Sequence, residues 1–381
     1  MIYDFLVIGG GIVGASAAYE LAKEANVLLL EAESTTGYHA TGRSAALFTA
    51  NYGCSIVRRI TRLSADFFSA PPVGFCPTDL LTPRGCLTVA GPGEEAALDA
   101  LIEMSGTDSP ICRIAPKEAL ERAPFLRADR VAAAVYEAGV SDIDVAALHQ
   151  SFVTGAKTRG ARIATNHSVT SLTREAGVWC AATATERFHG AVVINAAGAW
   201  ADHVGALAGA RAIGLVPKRR TAIIIKAPAG TDCSTLPAID FAGTDAYIKP
   251  DAGRLMASPG DATPSAAFDV WPEDMDIAVL ADWIERQTTI KVTKIEHSWA
   301  GLRSFVADDA PVVGFDPEVP DFLWLAGQGG YGIMMAPVLA QLTAELCQAP
   351  GGPLTKVLAQ LLSVERLHGA SAVKTREEED G

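Results

Sequence analysis

The six residues GGGIVG (9–14) restrict what this chain can fold into more than any other stretch. They carry the spacing G-x-G-x-x-G on Gly9, Gly11 and Gly14, between an apolar run at 3–9 (YDFLVIG) and a helical pattern at 12–24 (IVGASAAYELAKE). With VLLLE (27–31) as a second strand, the pattern is a β-α-β unit of about thirty residues, the size of a nucleotide-binding crossover. Gly9 then serves the tight turn, Gly11 lets backbone approach a pyrophosphate, and Gly14 lets helix and strand pack closely. The helix N-terminus at Ile12 and Val13 favours phosphate charge. Glu31, beside Ala32 at the end of the second strand, is placed to accept hydrogen bonds from ribose hydroxyls. Glycine patterns also arise from packing alone. Here strand, helix and acid agree, and the reading is dinucleotide binding. The motif does not separate a nicotinamide from a flavin dinucleotide.

A chain of 381 residues can bury a large core and suits two domains, or one with insertions. Helices are expected at 60–69, 94–104, 145–158 and 273–287, strands at 85–90 and 131–136, and buried strands at 191–198 and 322–327. Segments 219–227 and 245–257 read as strands of a sheet with one polar face. A Pro-rich connection spans 71–83, a Gly-rich turn at 327–332 leads into an apolar helix, and the tail from 366 is charged and expected to be disordered. Nucleotide-type strands thus occur at the start, middle and end of the chain, implying two domains built from non-contiguous pieces.

Composition excludes several functions. A net charge of −13 opposes nucleic-acid binding, which needs a cationic footprint, and the short cluster Lys218-Arg219-Arg220 does not reverse it. Seven cysteines without a C-x-x-C suggest reduced thiols in a cytosolic protein. The N-terminus has Asp4 where an export signal has basic residues, and no apolar run reaches the length of a membrane span, so a soluble cytoplasmic protein is expected. H-E-x-x-H, G-x-S-x-G and Cys/His clusters are missing, and no metal is expected. His39, His149 and His297 lack partners at useful spacing and read as core or surface residues. Cys54 and Cys76 read as packed thiols.

The segments TGRSAA (41–46), AVVINAAGAW (191–200), WAGLRSFVADDAPVVG (299–314) and LAGQGGYGI (325–333) resemble, in order, those of the D-amino acid oxidase/glycine oxidase superfamily. HATGRSAA, GVSDIDVAALHQ, VPKRR and AGLRSFVAD are similar to its bacterial D-arginine dehydrogenase group. The resemblance spans nearly the whole chain. It implies an α/β fold of the glutathione-reductase-2 type, with a Rossmann-like FAD-binding domain (1–78, 142–212 and 299–365). A mixed or antiparallel-sheet α+β substrate domain (79–141 and 213–298) would lie over the flavin. It implies non-covalent FAD held by Thr41, Gly42, Arg43, Ser44, Ala45, Ala46, Leu47, Val169, Ala197, Gly198 and Trp200. Gly301, Gly329, Gly330, Tyr331, Gly332 and Ile333 would complete that set. It further implies oxidative deamination of a D-amino acid, with hydride passing from Cα to flavin N5 and the imino acid hydrolysed to a 2-oxo acid and ammonia.

In this resemblance Arg303 clamps the substrate carboxylate, as a planar bidentate guanidinium suits. Arg220 is its partner in the resemblance; Arg219 beside it alternates to the other strand face, and only one of the two can point inward. Tyr52 and Tyr247 hydrogen-bond substrate, and the Gly330 carbonyl faces its amine. Leu47, Thr49, Cys86 and Met334 line the side-chain pocket. Three of these depart from the arginine-oxidising pattern: Cys86 replaces a Glu, Leu47 a His and Met334 a Gln. A buried cation without its carboxylate costs several kcal/mol, so uncharged side chains are expected to be preferred unless Asp240 or Asp245 reaches the pocket. Alternatives are a sarcosine-like secondary-amine oxidase, a 2-hydroxy-acid oxidase, or a non-catalytic FAD-binding protein. The electron acceptor, quinone or oxygen, and the oligomeric state are not fixed by the sequence, which is compatible with a monomer.

Overall fold

A parallel core grows from the strand Ile2–Ile8. It pairs on one side with Val27–Leu30 and on the other with Arg187–Asn195, both parallel. Arg162–Ala164 extends one flank and Phe322–Ala326 the other, again parallel. Every residue of Val27–Leu30 and Phe322–Ala326 is buried, as expected of strands covered on both faces. Val312–Phe315 closes one edge antiparallel, and Ser171–Glu175 with Val178–Ala182 adds an antiparallel ribbon to Arg187–Asn195. The computed structural model describes residues 1–107 and 109–368. The expected charged tail lies outside them from 369 onward; its first residue departs from expectation, since Arg366 pairs with Asp308 at 2.8 Å.

The helix Ile12–Leu21 is buried along its whole length. Its small residues let it sit between the sheet and the helices Val145–Thr158 and Gly332–Gln348, with which it shares one core. The second large sheet is mixed, antiparallel except where Ala238–Phe241 runs parallel to Cys86–Ala90. One of its faces packs Ile223, Ile239, Ile248 and Leu255 against Leu280 and Ile284 of the helix Asp274–Gln287. The opposite face meets the first domain, where Ala222, Ile224 and Met256 touch Ala45. This is a Rossmann-like α/β domain joined to a mixed-sheet domain, with no helix among the described residues long and apolar enough to cross a membrane.

Several details differ from the sequence reading. Ile295–Phe305 pairs along its length with Val216–Ile225, so a boundary at 299 cuts a strand of the second sheet. Ser141–Ile143 forms a small sheet with Leu47–Phe48 and Leu81–Pro83, and its Asp142 is ion-paired at 2.6 Å to Arg84 and at 2.8 Å to Lys249. Ile111–Ile114 and Pro116–Arg122 were not anticipated; both are too short to give a clear periodicity.

The strand-to-helix contact gives a direct test. A Cβ on Gly14 would lie 1.9 Å from the Gly9 carbonyl oxygen, a backbone atom that cannot yield. Gly14→Ala is expected to cost about 1–3 kcal/mol, the usual penalty of overpacking, read as a lowered thermal midpoint and reduced retention of bound nucleotide.

Candidate active site

A cavity of about 550 Å³ opens at the carboxyl ends of the parallel strands, where open α/β sheets bind ligands. Its floor is the glycine turn. Gly9 has φ +105°, and a Cβ there would meet the Ala196 carbonyl oxygen at 2.4 Å, so only glycine fits. Gly11 meets nothing nearer than the Thr41 hydroxyl oxygen at 3.4 Å, leaving its backbone open to a ligand. The Ile12 amide donates to Thr41 Oγ1 at 2.9 Å. Glu31 accepts from the Gly10 amide at 2.8 Å and from the Glu33 amide at 2.9 Å, which holds its carboxylate at the cavity wall.

Most residues expected around the cofactor share this wall. Val13, Ala32, Arg43, Ser44, Ala45 and Val169 line it, as do Ala197, Gly198, Trp200 and Gly301. Gly329, Gly330, Gly332 and Ile333 close the far side. His149, read from sequence as a core or surface residue, braces the turn: its Nε2 is 2.9 Å from the Gly10 carbonyl oxygen, and burial lowers its pKa. The neutral ring therefore donates that bond. Arg43 donates to the Val270 and Ala300 carbonyls and pairs with Asp269, tying a loop of the second domain across the cavity. Sequence gives no local signal for Asp269, which is 226 residues from Arg43.

Other assignments need correction. Gly14, Gly42, Ala46, Leu47 and Tyr331 do not line the cavity. Gly42 buttresses the loop by donating to the Gly37 carbonyl at 2.7 Å, and Leu47 packs against Cys86, Val140 and Ala238. Tyr331 caps the helix Gly332–Gln348 and stacks edge-on with Tyr52, ring centroids 5.1 Å apart. Tyr52 itself is 47% exposed and stands outside the cavity wall, yet close enough to Arg220 and Tyr247 to influence their titration. Met334 is a core residue, 3% exposed, because the helix turns it away from the cavity that Gly332 and Ile333 face.

The strongest electrostatic feature is a pair of guanidiniums. Strand alternation sends Arg219 outward to Glu273 and Asp276, and Arg220 inward. Arg303 lines the same cavity wall. Neither Arg220 nor Arg303 makes a salt bridge among the described residues, and Arg220 Nε is buried without a partner. Burial and the neighbouring Arg303 charge lower the Arg220 pKa. Asp261 offsets part of this charge from a distance without ion-pairing to Arg220, and two cations so held favour an anion beside them. Gln328 Nε2 is a further unpartnered donor in this wall.

Across the same sheet face lies the opposite polarity. Tyr247 is paired in register with Asp240, which puts both side chains on one face. Cys86 Sγ donates to Asp240 Oδ2 at 3.4 Å. Cys86 stands opposite Glu137, whose Oε1 accepts from Thr49, Asn51 and Ser109. Burial pushes Asp240 up to about 6, with Glu137 and Asp245 adding to the rise. Thus Thr49 and Cys86 belong to a buried acidic cluster, and the premise that Cys86 leaves this region without a carboxylate fails. Asp245, the other acid considered, is exposed.

A family model described as DAO, FAD dependent oxidoreductase, matches residues 4–346. The chain belongs to that family. FAD is the cofactor that this membership assigns, and the glycine turn, the engaged Glu31 and the orphan Gln328 amide fit it. Among curated relatives, glycine oxidase of Geobacillus kaustophilus is 25% identical, covering 91% of this chain and 93% of its own. Human mitochondrial sarcosine dehydrogenase is 25% identical over 87% of this chain but only 38% of its own length. The solved L-proline dehydrogenase from P. horikoshii has the same fold, with a TM-score of 0.85, 24% identity and coverage of 97% and 98%. As a DAO family member the chain is an FAD-dependent amine or amino-acid oxidoreductase.

The raised Asp240 pKa sets a stability prediction. The folded protein binds this proton more tightly than the unfolded chain, so its contribution is present below the unfolded pKa near 4 and is lost as pH rises through about 6. Asp240→Asn is therefore expected to be more stable than the parent at about pH 8, by on the order of 2 kcal/mol. That advantage should shrink as pH falls from about 6 to about 4, measured by denaturant unfolding.

Proposed function

We propose that this protein carries out FAD-dependent oxidative deamination of D-amino acids. The observation that carries the reading is the Arg220–Arg303 pair, two cavity-facing guanidiniums that make no ion pair among the described residues. A substrate carboxylate satisfies both, with Arg303 offering the planar fork. FAD, bound non-covalently, supplies the acceptor for the hydride leaving Cα. Tyr247 stands beside the guanidiniums, whose charges oppose the upward push of burial on its phenol. It donates to the carboxylate from that position. The Gly330 carbonyl receives the substrate amine, and the N-terminus of Gly332–Gln348 favours negative charge on the reduced flavin.

The side-chain preference is revised from the sequence reading. Asp240 and Glu137 do not line the cavity, but they share the sheet face beyond Tyr247, so an amine or guanidinium that reached past Tyr247 would meet carboxylates rather than a void. D-Arg and D-Lys are therefore substrates rather than excluded ligands. The relatives named for glycine and sarcosine make small amines the competing class.

Anaerobic mixing of the FAD-loaded protein with D-amino acids, L-amino acids, N-methylglycine and 2-hydroxy acids tests the reaction class. Bleaching of the flavin by D-amino acids is expected; bleaching by N-methylglycine or 2-hydroxy acids alone would refute the proposal. Arg303→Met should lower kcat/KM by roughly 10²- to 10³-fold, the loss of a buried charge pair, with FAD content unchanged. Asp240→Asn should lower kcat/KM for D-Arg relative to D-Leu by about tenfold or more. An unchanged ratio would return the preference to uncharged side chains.

A further inference from the structure

Sequence alone offers no metal-ligand spacing, but the antiparallel ribbon beside the parallel core brings three ligand types together. Cys180 is in register with Thr173 on one neighbour and with His189 on the other. Glu175 lies two residues beyond Thr173, so it shares their sheet face. The ligand atoms of Glu175, Cys180 and His189 all lie within 4.8 Å of one another. We propose that Glu175, Cys180 and His189 form a binding site for a thiophilic divalent cation of the zinc type.

The distances suit such an ion. His189 Nε2 is 3.3 Å from Glu175 Oε2. A tetrahedral zinc with bonds of about 2.0–2.1 Å separates its nitrogen and oxygen ligands by about 3.3–3.4 Å. The Cys180 sulfur lies within 4.8 Å of both other ligand atoms, and a zinc–thiolate bond of about 2.3 Å would draw it to the same point. One imidazole, one thiolate and one carboxylate form a mixed N, S and O set whose two negative charges balance the ion. A water fills the fourth position. Arg187 Nη1 holds the other carboxylate oxygen, Oε1, at 3.3 Å and leaves Oε2 to the metal.

The step balances simply. The Cys180 thiol loses its proton to buffer as sulfur bonds the ion, and no electrons move. Burial, with the Glu175 charge, keeps that proton on the thiol until metal arrives. None of the three residues lines the flavin cavity, so the ion acts as a clamp on three strands and takes no part in oxidation.

The test uses the full-length, FAD-loaded protein after washing with chelator. Zinc chloride is titrated by calorimetry in two buffers of different ionisation enthalpy. One ion per chain is expected, with proton release. Cys180→Ser and His189→Gln should weaken binding by at least about 100-fold, while Cys112→Ser, a change at an exposed thiol, leaves it unaltered. In the parent protein, zinc should also protect Cys180 from alkylation, read by peptide mass spectrometry; this holds even where a variant fails to fold. Absence of saturable binding, binding that survives Cys180→Ser, or alkylation of Cys180 at the same rate with and without zinc would each overturn the proposal.

Discussion

The hydrogen bond from the Gly10 amide to Glu31 is the constraint on which the geometry of the glycine turn depends. It ties the turn after the first strand to the end of the second, and Thr41 and His149 add bonds to Ile12 and Gly10 on either side. A glycine-rich turn is intrinsically loose, because glycine loses more conformational freedom on folding than any other residue. Three side chains from separate segments remove that freedom before any ligand arrives. The result is a preorganised cradle, in which binding energy is not consumed in ordering the loop.

The second sheet contributes polarity rather than a cradle. One face is apolar and packs on helices, while the other carries Arg220 and Arg303 toward one end and Asp240 and Glu137 toward the other. Burying like charges together is costly, and each cluster raises the cost for its own members: Arg303 acts on Arg220, and Glu137 on Asp240. A core selected for stability alone would not carry both. Their coexistence on one face is what the proposed reading rests on, a ligand with two differently charged ends.

Much of this was legible in the sequence, for identifiable reasons. The glycine turn and Glu31 were readable because spacing along one crossover encodes their geometry. Strand alternation shows that only one of Arg219 and Arg220 faces inward, and the resemblance points to Arg220. The Cys86–Asp240 contact was not readable in full, since it joins strands 154 residues apart and depends on their register. Asp240 was anticipated only as one of two acids able to reach. Met334 was misread because resemblance matches positions without giving the rotation of a helix, and one step from Ile333 turns the side chain from cavity to core. The Glu175–Cys180–His189 cluster was invisible for the same reason as Asp240: cross-strand register, not sequence spacing, assembles it.

The interleaved order of the strands bears on how the chain becomes folded. The first strand cannot have both neighbours until Arg187–Asn195 exists, and that strand in turn lacks its second parallel partner until Phe322–Ala326 is made. During synthesis, the first strand waits through nearly half the chain with one edge open, from Ile2 to its partner His189. Such non-local pairing folds slowly and exposes aggregation-prone surface meanwhile. The burden falls on the ribosome-bound intermediate, and the last strand to emerge is the one that ends the exposure.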